Sequence, residues 1–166
     1  MKLVPVFLLF YLGYSSNLLA QVDDPAFNVL LNTFLSHSVK EITVKELASQ
    51  TNSGILLDAR EKEEYQVSHL KDAKHVGYNN FEMKSVKDIP LDQAIVVYCA
   101  VGYRSEKIAE KLVKAGYKNV SNLYGGIFEW VNEGNPVYDA SGKPTEKIHT
   151  YSSNWAIWVH KGEKVY

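Results

Sequence analysis

Cys99 is the only cysteine in the chain, and it opens the segment Cys99-Ala100-Val101-Gly102-Tyr103-Arg104-Ser105. With a single cysteine no internal disulfide can form, so the residue is either a small buried hydrophobe or a reactive thiol. Its surroundings favour reactivity. Ala94 to Tyr98 is rich in β-branched and aromatic residues and reads as a strand that runs straight into the thiol. A helix is expected directly after the loop, with its free N–H groups and positive dipole end turned back toward it. Gly102 allows a backbone conformation in which successive amides point inward as an anion-binding nest. Arg104 adds a full positive charge. Together these features favour negative charge on sulfur, the form in which cysteine is a nucleophile. The chemistry they suggest is covalent catalysis.

The elements that must hold this loop are legible along the chain. Asp24 to Val39 spaces Phe27, Leu30, Leu31, Phe34 and Leu35 as an amphipathic helix. Ile42 falls in a short strand, and Thr43 to Glu46 has the pattern of a capping box that opens a helix from about Val44 to Gln50. Asn52-Ser53-Gly54 is a turn, and Ile55 to Leu57 fits a strand buried on both faces. Glu61 to Gln66 is expected to be helical, with Glu61 to Glu64 a solvated face. Ala73 to Val76 is another short strand, and Phe81 to Asp92 is expected to wind over the surface. Ser105 to Ala115 places Ile108, Ala109, Leu112 and Val113 on one helix face, stopped by Gly116. Val120 to Leu123 is a last strand, Gly125-Gly126 a turn, and Ile127 to Val131 a short helix. Strands alternating with helices imply an α/β fold with a mainly parallel sheet.

Length and composition exclude several classes of function. The chain has 166 residues, 46% hydrophobic and 22% charged, as expected of one globular domain. A net charge of -1 and the absence of basic runs interleaved with aromatics argue against nucleic-acid binding. The five histidines (His37, His69, His75, His149, His160) show no metal-ligand spacing, and all but His69 read as surface residues. Residues 1–20 are distinct: Lys2 is followed by the apolar run Leu3 to Leu12, and the segment ends on Ala20. This is the order of a secretory signal peptide, with cleavage expected after Ala20. A membrane anchor needs about 20 predominantly apolar residues, and Gly13 to Asn17 interrupt this one. Export to the periplasm or outside the cell is therefore expected.

The Cys99 to Ser105 loop resembles the active-site loop of the rhodanese family in its small single-domain form. Three more stretches resemble that family in the same order. They are Leu57-Asp58-Ala59-Arg60, Glu64 to Ala73, and Leu123-Tyr124-Gly125-Gly126 with Trp130. Four motifs in order are far more specific than any one alone. Ser68 and Asp72 stand where the family usually has glycine. Ala100 and Val101 stand where some thiosulfate-using members carry basic residues.

The resemblance implies a central parallel sheet of about five strands with helices on both faces, over residues 41–133. A helical extension at 21–40 and a tail at 134–166 would pack on it. It implies double displacement: Cys99 takes a sulfane sulfur from thiosulfate or a persulfide and passes it to cyanide or a thiol. In that mechanism Cys99 is the nucleophile. Ala100, Val101, Gly102, Tyr103, Arg104 and Ser105 form the substrate and persulfide cradle, and Asp58 and Arg60 brace the strand end from behind. Arg104 either holds an anionic donor or pairs with an acidic neighbour. Val101 and Tyr103 would flank the mouth of the pocket. No metal or organic cofactor is implied, and the partners are a small sulfur donor and its acceptor. A phosphatase or arsenate-reductase loop would carry arginine six positions after cysteine, where this chain has Ser105, so that chemistry is disfavoured. The other class of function is a carrier or partner-binding module that holds a persulfide for a dedicated protein acceptor. Tyr151, Trp155 and Trp158 could line a partner site, although packing of the tail is the preferred reading.

Overall fold

The computed structural model describes residues 22–51 and 54–166. The expected signal peptide, and Asn52 and Ser53 of the expected turn, lie outside the described residues.

Five strands form one parallel sheet: β1 (Lys40–Ile42), β2 (Ile55–Asp58), β3 (Lys74–His75), β4 (Ala94–Tyr98) and β5 (Asn119–Leu123), in the spatial order β1-β5-β4-β2-β3. β4 is central. Its neighbours pair in register, Asp58 with Tyr98 on one side and Val97 with Asn122 on the other. Alternation along a strand sends successive side chains to opposite faces. Ile95, Val97 and Cys99 join one apolar cluster, with Ile108, Ala109 and Leu112 of α4 (Tyr103–Lys114). Val96 and Tyr98 join the other, with residues of α1 (Pro25–Phe34), α2 (Val44–Ser49) and α5 (Gly126–Asn132). Helices thus cover both faces of the sheet, an α/β fold as the sequence implies.

Local chemistry sets the helix starts. Asp24 caps α1 by accepting from the amides of Ala26 and Phe27, with Pro25 at the first helical position. Thr43 and Glu46 form the expected capping box of α2. The third helix, α3 (Lys62–Val67), begins one residue later than expected because Glu61 is its cap residue.

Several boundaries differ from the sequence reading. α1 ends at Phe34, not near Val39, because the following backbone turns extended and is captured elsewhere. The buried Glu106 side chain accepts from the amides of Ser36 and Ser38, both at 2.9 Å. Phe34 is 40% exposed and Val113 49% exposed, so neither belongs to the core face expected of it. Position 113 lies on the rim of α4, one residue round from the buried Leu112. β2 is only half-buried at Ile55 and Leu56. Phe81 to Asp92 does not simply skirt the surface: it contains a 3-10 turn, Met83–Val86, and it buries Val86 and Ile89.

Residues after Asn132 pack on the domain. β6 (Val137–Tyr138) pairs antiparallel with β7 (Pro144–Thr145), and β8 (Lys147–His149) pairs parallel with β9 (Glu163–Val165). Between them lies α6 (Ser153–Ala156). Val137, Ile148 and Val159 are buried in the same cluster as α1, and Trp158 stacks on Phe27 with ring centroids 5.3 Å apart.

Candidate active site

Cys99 follows β4 at the carboxyl edge of the sheet, and α4 begins four residues later at Tyr103. The helix therefore starts two residues before the expected Ser105, and Tyr103 and Arg104 occupy its first turn. Gly102 is the cap residue, with φ +118° and ψ -19°, a conformation that side-chain-bearing residues rarely adopt. Its amide donates to Cys99 Sγ at 3.1 Å. Its carbonyl is held away from the thiol by three donors at 3.0 Å: the Glu106 amide, the Ser105 hydroxyl and the Asn122 side-chain amide. The Ser105 hydroxyl lies 2.7 Å from Asn122 Oδ1 as well. Ser105 is fully buried and supports the loop from behind; it is not among the residues that line the cavity over Cys99.

The other side of the loop is held by α5. The amides of Ile127 and Phe128 donate to the carbonyls of Cys99 and Ala100, at 2.9 and 3.1 Å. A Cβ at Gly126 would come within 2.5 Å of both carbonyl oxygens, so only glycine permits this approach. The Gly125-Gly126 pair is more than a turn: it lets a helix start against the cysteine loop.

The cavity above the thiol measures about 390 Å³ and is lined by Cys99, Ala100, Val101, Tyr103 and Arg104 from the loop. Glu61, Tyr78 and Asn79 line one wall, and Phe34, Tyr151 and Trp155 another. Aromatic contacts join the last wall: Phe34 lies 4.8 Å from Tyr103 and 5.7 Å from Trp155, centroid to centroid. Tyr151 sits under the Arg104 guanidinium at 5.7 Å. Tyr151 and Trp155 of the tail therefore face the cavity, while Trp158 packs inside.

Arg104 pairs with an acidic neighbour. Its guanidinium makes a bidentate bond to Glu64, at 2.6 and 2.8 Å. Glu64 is buried, contrary to its reading as part of a solvated face, because the same carboxylate accepts the Glu61 amide at 3.0 Å and so turns inward. Burial alone would raise the Glu64 carboxyl, but the hydrogen bonds and charge of Arg104 outweigh it and hold the group below the usual carboxylate range. Burial likewise pulls Arg104 down, and Glu64 more than compensates, keeping the guanidinium charged.

Asp58 and Arg60 lie behind the strand end, away from the cavity. They form a fully buried ion pair at 2.6 Å, and Arg60 also donates to the Ser68 carbonyl at 2.6 Å. The His75 ring bonds the Arg60 carbonyl at 2.9 Å and is half-buried, not on the surface as expected. Among the described residues, no group of three or more His, Cys, Asp or Glu is placed to hold a metal ion. Asp72, at a position where glycine is usual in the resembling motif, has φ +59°.

Phe34, Glu61, Tyr78, Asn79, Glu106 and Asn122 line or brace the site without having been singled out for it in the sequence, while Glu64 and Gly126 fell inside the quoted motifs without the contacts they make here. Glu64 left a local signal in its spacing three residues after Glu61 at a helix start, and Gly126 in its glycine pair.

The sequence profile of the rhodanese-like domain matches residues 43–133. The tRNA uridine(34) hydroxylase of Pectobacterium carotovorum is 28% identical over 149 residues, which cover 87% of this chain and 39% of that protein. The chain thus spans about two fifths of the length of that relative. A rhodanese-like domain protein from Staphylococcus aureus superposes with TM-score 0.51 at 25% identity, covering 58% of this chain and 95% of the other. Thiosulfate sulfurtransferase from Pseudomonas aeruginosa superposes with TM-score 0.54 at 25% identity, covering 61% of this chain and 20% of the other.

Proposed function

The chain belongs to the rhodanese-like domain family, and from that premise we propose that it is a sulfurtransferase working through a Cys99 persulfide. The observation that carries this reading is the Gly102 amide aimed at Cys99 Sγ, 3.1 Å away, on the floor of an open cavity. In the first half-reaction the Cys99 thiolate attacks the outer sulfur of a sulfane donor. The donor's S–S bond breaks as the new S–S bond to Cys99 forms, and the leaving group departs with the electron pair, as sulfite from thiosulfate or as a thiolate from an organic persulfide. In the second, an acceptor such as cyanide or a thiol attacks the terminal sulfur and Cys99 regains its thiolate. The sulfur changes hands in two steps through a covalent intermediate, which requires ping-pong kinetics. Asp58 and Arg60 fix the end of β2 beside this loop and touch neither substrate. Ser105 and Asn122 act on the Gly102 carbonyl, which in turn orients the amide toward sulfur.

The proposal includes export of the mature protein, supported by the basic start, apolar run and terminal small residue of residues 1–20. N-terminal sequencing of the secreted or periplasmic protein is expected to begin at Gln21.

The chemical reading is tested by sulfur transfer to cyanide from thiosulfate and from a persulfide, beside Cys99→Ser. Thiocyanate release and a mass gain of one sulfur atom are expected for the wild type, and both should vanish in Cys99→Ser. A stable adduct without turnover would identify a sulfur carrier. No adduct from any sulfane donor on reduced, folded protein would sink the reading.

A further inference from the structure

The walls above Cys99 are unlike the loop that forms its floor. Arg104 is the only lysine or arginine among the described residues lining the cavity, and its charge is already balanced by Glu64, which takes both terminal nitrogens in an end-on bidentate pair. Glu61 also lines the cavity, with its carboxylate bonded to the neutral Asn79 side chain at 2.9 Å. A dianionic donor would therefore meet one unneutralised carboxylate and a cation whose charge Glu64 already balances, and like charges in a partly desolvated site repel strongly. Against this stands an aromatic collar. Phe34, Tyr103, Tyr151 and Trp155 ring the cavity, with Phe34 at the contact point of two of the others. Phe34 lies before residues 43–133, and Tyr151 and Trp155 lie after them, so three of the five aromatic side chains lining the cavity, Tyr78 and Tyr103 being the others, come from outside the rhodanese-like region. The volume of about 390 Å³ is in the range of organic-ligand sites and has ample space beyond what a small ion would fill.

We propose that this cavity selects a low-molecular-weight organic persulfide whose carbon group is aromatic or bulky aliphatic, in preference to thiosulfate. The inference rests on the persulfide chemistry proposed for Cys99 and names its donor. The carbon group lies among Phe34, Tyr103 and Trp155, and its outer sulfur points to Cys99 Sγ. Attack by the Cys99 thiolate forms the Cys99–sulfur bond and breaks the donor's S–S bond. The organic thiolate leaves with the electron pair, and no oxidant or reductant is consumed.

The test measures kcat/KM with cyanide as acceptor for three donors: thiosulfate, hydroxyethyl persulfide and freshly generated benzyl persulfide. Benzyl persulfide should exceed thiosulfate by about 100-fold and hydroxyethyl persulfide by about 10-fold, as expected for burying one ring. Trp155→Ala should narrow the benzyl-to-hydroxyethyl ratio by roughly 10-fold, with Trp155→Phe restoring most of it. Glu61→Gln should raise kcat/KM for thiosulfate several-fold. Equal use of benzyl and hydroxyethyl persulfides, or a ratio unmoved in folded Trp155→Ala, overturns the inference and leaves sulfur transfer standing. Failure of every donor to load Cys99 overturns both.

Discussion

At the scale of single residues, the site depends on where two charges are held. Arg104 carries the only lysine or arginine charge among the described residues that line the cavity, and Glu64 neutralises and orients it from an almost fully buried position. The pair braces α3 against the first turn of α4 more than it offers a free cation to a substrate. Glu64 has its carboxyl lowered from an ordinary value of 4.5, so it contributes stability that is present above that value. That stability is lost as the pH falls through the lower folded-state value and the carboxylate takes a proton. Thermal unfolding followed between neutral pH and about pH 3 should show a drop in Tm on the acid side, and Glu64→Gln should flatten it. At neutral pH the same substitution leaves a half-buried guanidinium without its counter-charge and should destabilise by about 2 kcal/mol.

At the scale of elements, the loop after β4 is clamped between the starts of two helices. α4 supplies the cap that turns the Gly102 amide toward sulfur, and α5 supplies two amides that hold the carbonyls of Cys99 and Ala100. Gly126 lies at the contact, with φ +57° and backbone oxygens where a Cβ would go. Gly126→Ala should therefore lower stability by about 2–3 kcal/mol and depress transfer activity, since backbone on both sides has no room to yield. Gly142→Ala is a useful comparison. Its φ is +77°, yet nothing lies within 4 Å of the added carbon, so the loss should stay near 1 kcal/mol with activity intact. Chemical denaturation of both variants separates steric clash from backbone strain.

At the scale of the whole molecule, the segments before and after the matched region belong to the same core as the sheet. Asp24 caps α1 and also bonds His160 at 3.0 Å, Trp158 lies on Phe27, and Asn132 bonds backbone groups of Trp158 and His160. Ile148 and Val159 are fully buried among side chains of α1, α2 and α5. Ile148→Ala should destabilise the protein by about 2–4 kcal/mol, read as a shifted urea midpoint, although this residue is far along the chain from the sheet. The aromatic wall of the cavity should loosen with it, because α6 follows β8 directly.

The amino-acid sequence by itself determined the lone cysteine of the site, the strand that delivers it and the alternation that makes a parallel sheet. Those features are local: a β-branched run ending in cysteine, a glycine three residues on, and apolar spacing at helical period each act through nearest neighbours along the chain. Caps such as Thr43 with Glu46 were legible for the same reason. Tertiary structure alone decided which distant groups meet at the site. Glu64 looked like solvent-facing charge because its partner is 40 residues away. Glu106 ends α1 from 70 residues away by accepting the Ser36 amide, and Phe34 and Trp155 form one wall across more than a hundred positions. No periodicity encodes such encounters. They arise when helices packed on opposite faces of one sheet bring their ends to the same edge.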